Sequence, residues 1–280
     1  MPSAALQEIV EYRGVEGLVA AEVLVDNNET GEGQGYTTGP VFAIAGVAEI
    51  SKTTDSSNEA HYYDNIPAVV VSNTAADEVT ISVSAIPFDV LATITGQNYD
   101  QTTGALIEGP RDVKYFALGY KTKKTNGDEV YVWRYKGTFN IPDQTNSTEN
   151  DSTDANGQEL VYTGISTTHK FSKTGKGAKA LNVDLGKDLA DVTEFFNTVT
   201  TPDTLVAKTA YALTITENEG TTVTVTRNGV TLETGAQIFD GDILIVSVTG
   251  GTITVNSEAF TSGNPLLVSG DVTVVSTASA

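Results

Sequence analysis

Cysteine is absent from the 280 residues, so neither a disulfide framework nor a thiolate metal site can be built. Histidine is nearly absent too. With only His61 and His169, a His-based metal centre or nucleophile cluster has too few members. Bases are scarce, 16 Lys and Arg against 36 Asp and Glu, for a formal net charge of −20. The chain as a whole therefore lacks the basic footprint of proteins that track phosphates or enter nucleic-acid grooves. No apolar run approaches the length of a membrane span. Residues 1–7 carry no basic region leading into an apolar run. The expectation is a protein made in the cytoplasm, without a secretory signal and without membrane contact.

What the chain has instead is alternation with a period of two. In 17–25 the odd positions are Gly17, Val19, Ala21, Val23 and Val25. The even face, extended back by one residue, carries Glu16, Leu18, Ala20, Glu22 and Leu24. In 79–85 Val79, Ile81, Val83 and Ala85 alternate with Thr80, Ser82 and Ser84. Such alternation marks half-buried strands. Further strands are predicted at 40–50, 66–72, 113–124, 129–140 and 159–171. Asn126-Gly127 between two of them predicts a hairpin, whose aromatics, Trp133 among them, suit a packed sheet face. One helix is expected, with Pro87 in its first turn and an apolar stripe of Phe88, Val90, Leu91 and Ile94 before Gly96. A second helical turn is expected within 185–196.

Three segments read as loops: 26–39, 97–111 and 143–158. The first, DNNETGEGQGYTTG, is too long for a tight turn and is expected to be a mobile flap or docking arm. A linker-like Thr200-Thr201-Pro202-Asp203 precedes a shift in composition to Thr, Val and Gly. The domains expected are thus 1–204 and 205–280. Short strands with turns at Asn228-Gly229, Asp240-Gly241 and Gly250-Gly251 predict that the second is a small immunoglobulin-like β-sandwich.

Charge is unevenly spread. Residues 1–110 hold sixteen acids against Arg13 and Lys52, a local net of −14, whereas 111–187 hold twelve of the sixteen bases. The first stretch is expected to repel polyanions and the second to attract acidic surfaces.

No catalytic pattern survives inspection. Residues 174–179 (TGKGAK) lack the earlier glycine of a phosphate loop, and Gly177 stands where a Ser or Thr is required. His61 lies among Glu59 and Asp64 with no second His nearby, and reads as a solvated residue. The pairs Asp77-Glu78 and Asp128-Glu129 read as solvated strand ends rather than as a catalytic dyad. Residues 152–157 begin a calcium-type loop with Ser where Asp is needed, and Thr163 replaces the closing Glu. The expectation is a protein that is not an enzyme and takes no cofactor and no metal.

Several segments together do carry a resemblance. AIPFDVL at 85–91 followed by Gly96 resembles the strand-to-helix element of phage major tail proteins. ISKTTDSSNEAHYYDN at 50–65 resembles that family's segment in which a strand is followed by a polar turn, then an aromatic and Asp-Asn. RDVKYFALGY at 111–120, WRYKG at 133–137 and the stretch 159–170 resemble its following strands. The likeness covers about 8–200, in matching order and spacing. It implies an all-β subunit with one flanking helix, a tail-tube-type β-sandwich or split barrel. In that family six subunits form a ring-wide inner β-barrel and rings stack into a tube, so sheet edges left open in one subunit are paired by the next. The C-terminal immunoglobulin-like β-sandwich resembles modules that some tail proteins carry.

The implied function is a structural subunit of the tube of long-tailed, non-contractile phages, with the virion tail as its location. Its implied partners are copies of itself, the tail terminator, the tape-measure protein and distal tail proteins, with viral DNA passing through the lumen without specific binding. Glu16 and Glu22 become lumen candidates. Asn28, Glu29, Gly31, Glu32, Gly33, Gly35 and Tyr36 become candidates for a ring-stacking loop. The competing expectations are a bacterial surface adhesin or carbohydrate-binding module, and a head-decoration or tail-terminator protein.

Overall fold

The structure is a computed structural model that describes residues 9–31, 33–63, 66–145 and 157–279. The chain divides into two compact units, Met1–Val206 and Ala207–Ala280.

In the first unit the elements run β1 (Tyr12–Asp26), β2 (Tyr36–Thr38), β3 (Phe42–Ala43), β4 (Val47–Tyr63), β5 (Ile66–Val83), α1 (Phe88–Thr95), β6 (Asn98–Asp100), β7 (Ala105–Ile107), β8 (Phe116–Lys124), β9 (Glu129–Phe139), β10 (Asp143–Gln144), β11 (Gln158–Ile165) and β12 (Ala180–Asp184). Of these strands, all but the β6–β7 hairpin join one ten-stranded sheet. Its path is β2-β1-β8-β9-β11-β5-β4, with β3 on β1, β10 on β11 and β12 on β9. The path does not close into a barrel among the described residues. All-β with one flanking helix is therefore the fold class.

Both faces of this sheet are buried at its centre, which is why β8 and β9 read as nearly continuous apolar runs. One face carries Leu18, Val79, Ile81, Phe116, Leu118, Val132, Phe139 and Tyr162, and Leu91 and Ile94 of α1 pack onto it. The other carries Ala21, Ala117, Trp133 and Tyr135, and is covered by Phe171, Phe195 and Val199 from the chain after β11. The Trp133 Nε1–H donates to the Phe195 carbonyl at 2.8 Å and the Tyr135 hydroxyl donates to that of Thr200 at 3.1 Å, so the aromatics pin the covering segment as well as filling it. The helix ends where Gly96 takes the left-handed conformation (φ 72°); a Cβ there would also lie 1.9 Å from the Asp112 carbonyl oxygen.

Several elements differ from the sequence reading. The expected strand 40–50 is broken at 44–46, where Gly46 and Ser84 exchange hydrogen bonds. The segment 51–63 is not a polar turn: β4 runs straight through it and pairs with β5 to Tyr63↔Ile66. The strand expected at 159–171 stops at Ile165, and the helical turn expected within 185–196 is a single 3₁₀ turn at Leu185–Lys187. The expected loop 97–111 contains the β6–β7 hairpin. Most of 143–158, including the calcium-like 152–156, lies outside the described residues.

The second unit is a sandwich of a five-stranded and a four-stranded sheet. Its own core holds Leu213, Val225, Ile238, Leu244, Val246, Ile253, Val268 and Val274. All strand pairs are antiparallel except Ala210–Thr216 against Val272–Ala278, which run parallel. Arg227 pairs with Asp242 at 2.7 Å, and the Phe239 N–H also donates to that carboxylate.

The two units have separate cores, so damage to one should not propagate to the other. A Cβ at Gly119 would lie 2.8 Å from both the Trp133 ring and the Val19 side chain. Gly119→Val is expected to destabilise the first unit by about 1–3 kcal/mol. In calorimetry its transition should fall in temperature while that of the second unit stays put; a shift of both, or of neither, would contradict the packing described.

Candidate assembly surfaces

Strand β1 is written in charges that its partners answer. Glu16 meets Lys121 at 2.9 Å and Lys123 at 3.3 Å, Glu22 meets Lys114 at 3.0 Å, and Asp26 meets Lys136 at 2.6 Å. Three acids of the acid-rich start thus meet lysines of the base-rich middle within the subunit. The two lysines hold the Glu16 carboxyl below its ordinary range.

Glu16 and Glu22 do not share a face. The β1–β8 register advances from Glu16↔Lys121 to Val19↔Gly119, three residues against two, with Gly17 at φ 70° in the bulge. The extra residue turns Glu16 to the side of Val19 and Ala21, while Glu22, opposite Phe116, stays with Leu18 and Ala20. A second bulge, at Gly14 (φ 81°), separates Tyr12↔Lys124 from Val15↔Thr122.

The loop after β1 is shorter and better held than 26–39 implied. β1 extends to Asp26 and β2 begins at Tyr36, leaving 27–35. Asn27 organises it: its side chain accepts from the N–H of Glu29 and of Gly35 and donates to Gln34. The base is tied to the segment after β11. Thr168 and His169 N–H groups donate to Asp26, the Lys170 N–H donates to Asn28, and the His169 ring bonds the Asn27 carbonyl. Asn28, Glu29, Gly31 and Gly33 are exposed, but Gly35 is buried and the Tyr36 hydroxyl donates to the Tyr135 carbonyl. Glu32 lies outside the described residues.

Beyond Asp77↔Gly164, where β11 ends its pairing with β5, β4 and β5 continue alone as a two-stranded ribbon. Over the eleven residues 66–76 it spans about 35 Å. A two-stranded ribbon is marginal in water by itself, and one of its strands reads IPAVVVSNTAA. Its root is clamped by a network that sequence reasoning misses, because the partners of Asp77 lie 57 and 102 residues away in the chain. Arg134 Nη1 donates to Asp77 at 2.8 Å and Nη2 to the Tyr120 hydroxyl at 3.3 Å. Thr54 donates to Asp77 at 2.8 Å, and Lys179 reaches both Asp77 and the Ala75 carbonyl. Arg134 and Asp77 are buried. The outer edge of β4 pairs with no other strand among the described residues.

The arrangement is one of an open sheet edge and an exposed loop. His61 is exposed on the ribbon, and no group of three metal-ligating side chains forms among the described residues. Residues 172–175 form a tight turn closed by the Phe171–Lys176 bridge, and 177–179 lead from it into β12. Against known proteins, the profile of the family described as phage tail tube protein matches residues 24–257. No curated protein matches the chain.

The carboxylates of β1 and β5 set an acid limit. Burial works against ionised Asp26, but the Lys136 ammonium and the N–H groups of Thr168 and His169 outweigh it and hold its pKa low. Burial likewise opposes ionised Asp77, and Thr54 and Lys179 outweigh it. A depressed folded pKa means the unfolded chain takes up protons first. The stability contributed is complete above the unfolded value of about 3.9 and is lost as pH falls through the folded values. The first unit should therefore lose thermal stability steeply below about pH 4. Asp77→Asn, which strands buried Arg134, should cost about 3–5 kcal/mol at neutral pH and show a shallower acid slope in melts across pH 2–7.

Proposed function

The chain belongs to the phage tail tube protein family, and from that premise we propose that it polymerises as stacked hexameric rings around a lumen through which viral DNA passes into the host. The family gives the coarser part directly: a structural component of the tail tube in the virion. The finer part is supported chiefly by the unfinished sheet, with the outer edge of β4 unpaired and a ribbon lacking a third strand. An open edge of seventeen residues is an aggregation hazard unless another chain covers it. Six copies closing edge to edge would remove it, building the inner β-barrel that one sheet does not complete.

The tail is of the long, non-contractile type, and the tube meets the tail terminator, the tape-measure protein and distal tail proteins. The exposed part of loop 27–35 docks rings onto one another. DNA slides past an acidic wall because like charge adds no counterion-release affinity. Since Glu16 and Glu22 lie on opposite faces of β1, at most one of them faces that wall. The second unit is an immunoglobulin-like module starting near 205, and tube assembly does not need it.

Electron microscopy of the purified protein tests the reading: rings or tubes are expected, and a population of only monomers would remove it. Truncation after Val206 should leave tubes intact; their loss would make the second unit part of the assembly contacts. Of Glu16→Lys and Glu22→Lys, one at most should slow DNA ejection from otherwise normal tails. Normal ejection by both would take these residues out of the lumen.

A further inference from the structure

Between β1, β4, β8 and β9 lies a cleft of about 600 Å³, lined by Tyr12, Val15, Glu49, Lys52, Tyr120 and Arg134 among others. Arg134 is 6 % exposed. Its two terminal nitrogens are used by Asp77 and Tyr120, and its Nε is buried with no hydrogen-bond partner. A buried guanidinium N–H of this kind calls for an acceptor. Of the only two bases in residues 1–110, Lys52 lines the cleft, where Glu49 is the one acid. A largely apolar cleft with the Lys52 ammonium and the unpartnered Arg134 N–H suits a short segment bearing a carboxylate.

Such a segment stands at the other end of the same strand. Loop 27–35 carries Glu29 and Glu32 and no base, although Lys170, Lys173 and Lys176 follow the segment that ties down its base. Val15 at the cleft and Asp26 at the loop are eleven residues apart along β1, about 35 Å at the rise of a strand. Loop and cleft are thus too far apart to meet within one chain. Placed at opposite ends of one element, they meet when copies are stacked head to tail, and a contact of that kind has no natural end.

We propose that the cleft receives loop 27–35 of a second copy, with the Glu29 carboxylate directed to Arg134 and Lys52. The proposal rests on the tail tube reading and adds to it the receiving site of the stacking loop.

The chain has no cysteine, so Glu29→Cys and Lys52→Cys supply the only thiols. Tubes of the double variant, treated with a short bismaleimide and run under denaturing conditions, should give a ladder of covalent multimers. Each single variant alone should give none, and a mixture of the two should stop at dimers. Intact tubes that yield only monomer, or a cross-link closed within one chain, would overturn the pairing. Charge reversal gives an independent readout: Glu29→Lys and Lys52→Glu should each lower tube yield severalfold, and their combination should restore it. Failure of the combination to restore yield would count against the proposal. A cross-link between Ser3→Cys and Lys52→Cys within one chain would assign the cleft to residues 1–8 and overturn it as well. Absence of any polymer from the unmodified chain would remove the stacked-ring reading, and this pairing with it.

Discussion

Lys121 meets Glu16 across the β1–β8 ladder, and the arrangement of the first unit follows from that pairing and its neighbours. Side chains alternate along a strand, so a slip of one residue would carry Leu18 and Ala20 out of one core and Val19 and Ala21 out of the other. In a sheet buried on both faces such a slip is doubly costly. Each surface ion pair contributes little stability. Together, Glu16, Glu22 and Asp26 against Lys121, Lys114 and Lys136 mark one register as the correct one. The acidic start of the chain is thus first a device for recognising its own middle. Only the acids left over, such as Glu29, are free to act on anything else.

The same sheet leaves one edge unpaired among the described residues. Its centre is satisfied by α1 on one face and by the segment around Phe171 and Phe195 on the other, but its last strand, β4, is not. Asp77, Arg134, Lys179 and Thr54 gather at the point where the covered sheet becomes a bare ribbon. A buried ion pair is poor value as a source of stability. It is better understood as fixing the direction in which the ribbon leaves the body.

How much of this was legible in the sequence depended on whether a signal was local. The helix was plain, because Pro87, an apolar stripe and Gly96 fall within ten residues. The β8–β9 hairpin was equally plain from Asn126-Gly127. The ribbon was not, since the serines, threonines and acids of 51–63 look like a turn until β5 is known to lie beside them. The bulges of β1 were hidden as well. Gly17 sat in an unbroken alternation, so strict parity placed Glu16 and Glu22 on one face. Tyr36 looked like part of an exposed loop, and only the Tyr135 carbonyl, ninety-nine residues away, claims it for the core. The Arg134–Asp77 pair, fifty-seven residues apart in sequence, left no mark in the local pattern.

The two bulges of β1 bear on geometry at a larger scale. Between Tyr12 and Glu22 the strand spends eleven residues where β8 spends nine, from Lys124 to Phe116. A ribbon longer on one side than on the other must bend, as a bimetallic strip does. Gly14 and Gly17 are the points at which the excess length is taken up. If this sheet forms part of a cylindrical wall, the wall's radius of curvature is set inside each subunit before any neighbour arrives. The number of copies that closes the circle is then a property of glycine spacing in one strand, and a subunit with either excess residue removed would be expected to favour a wider circle or none.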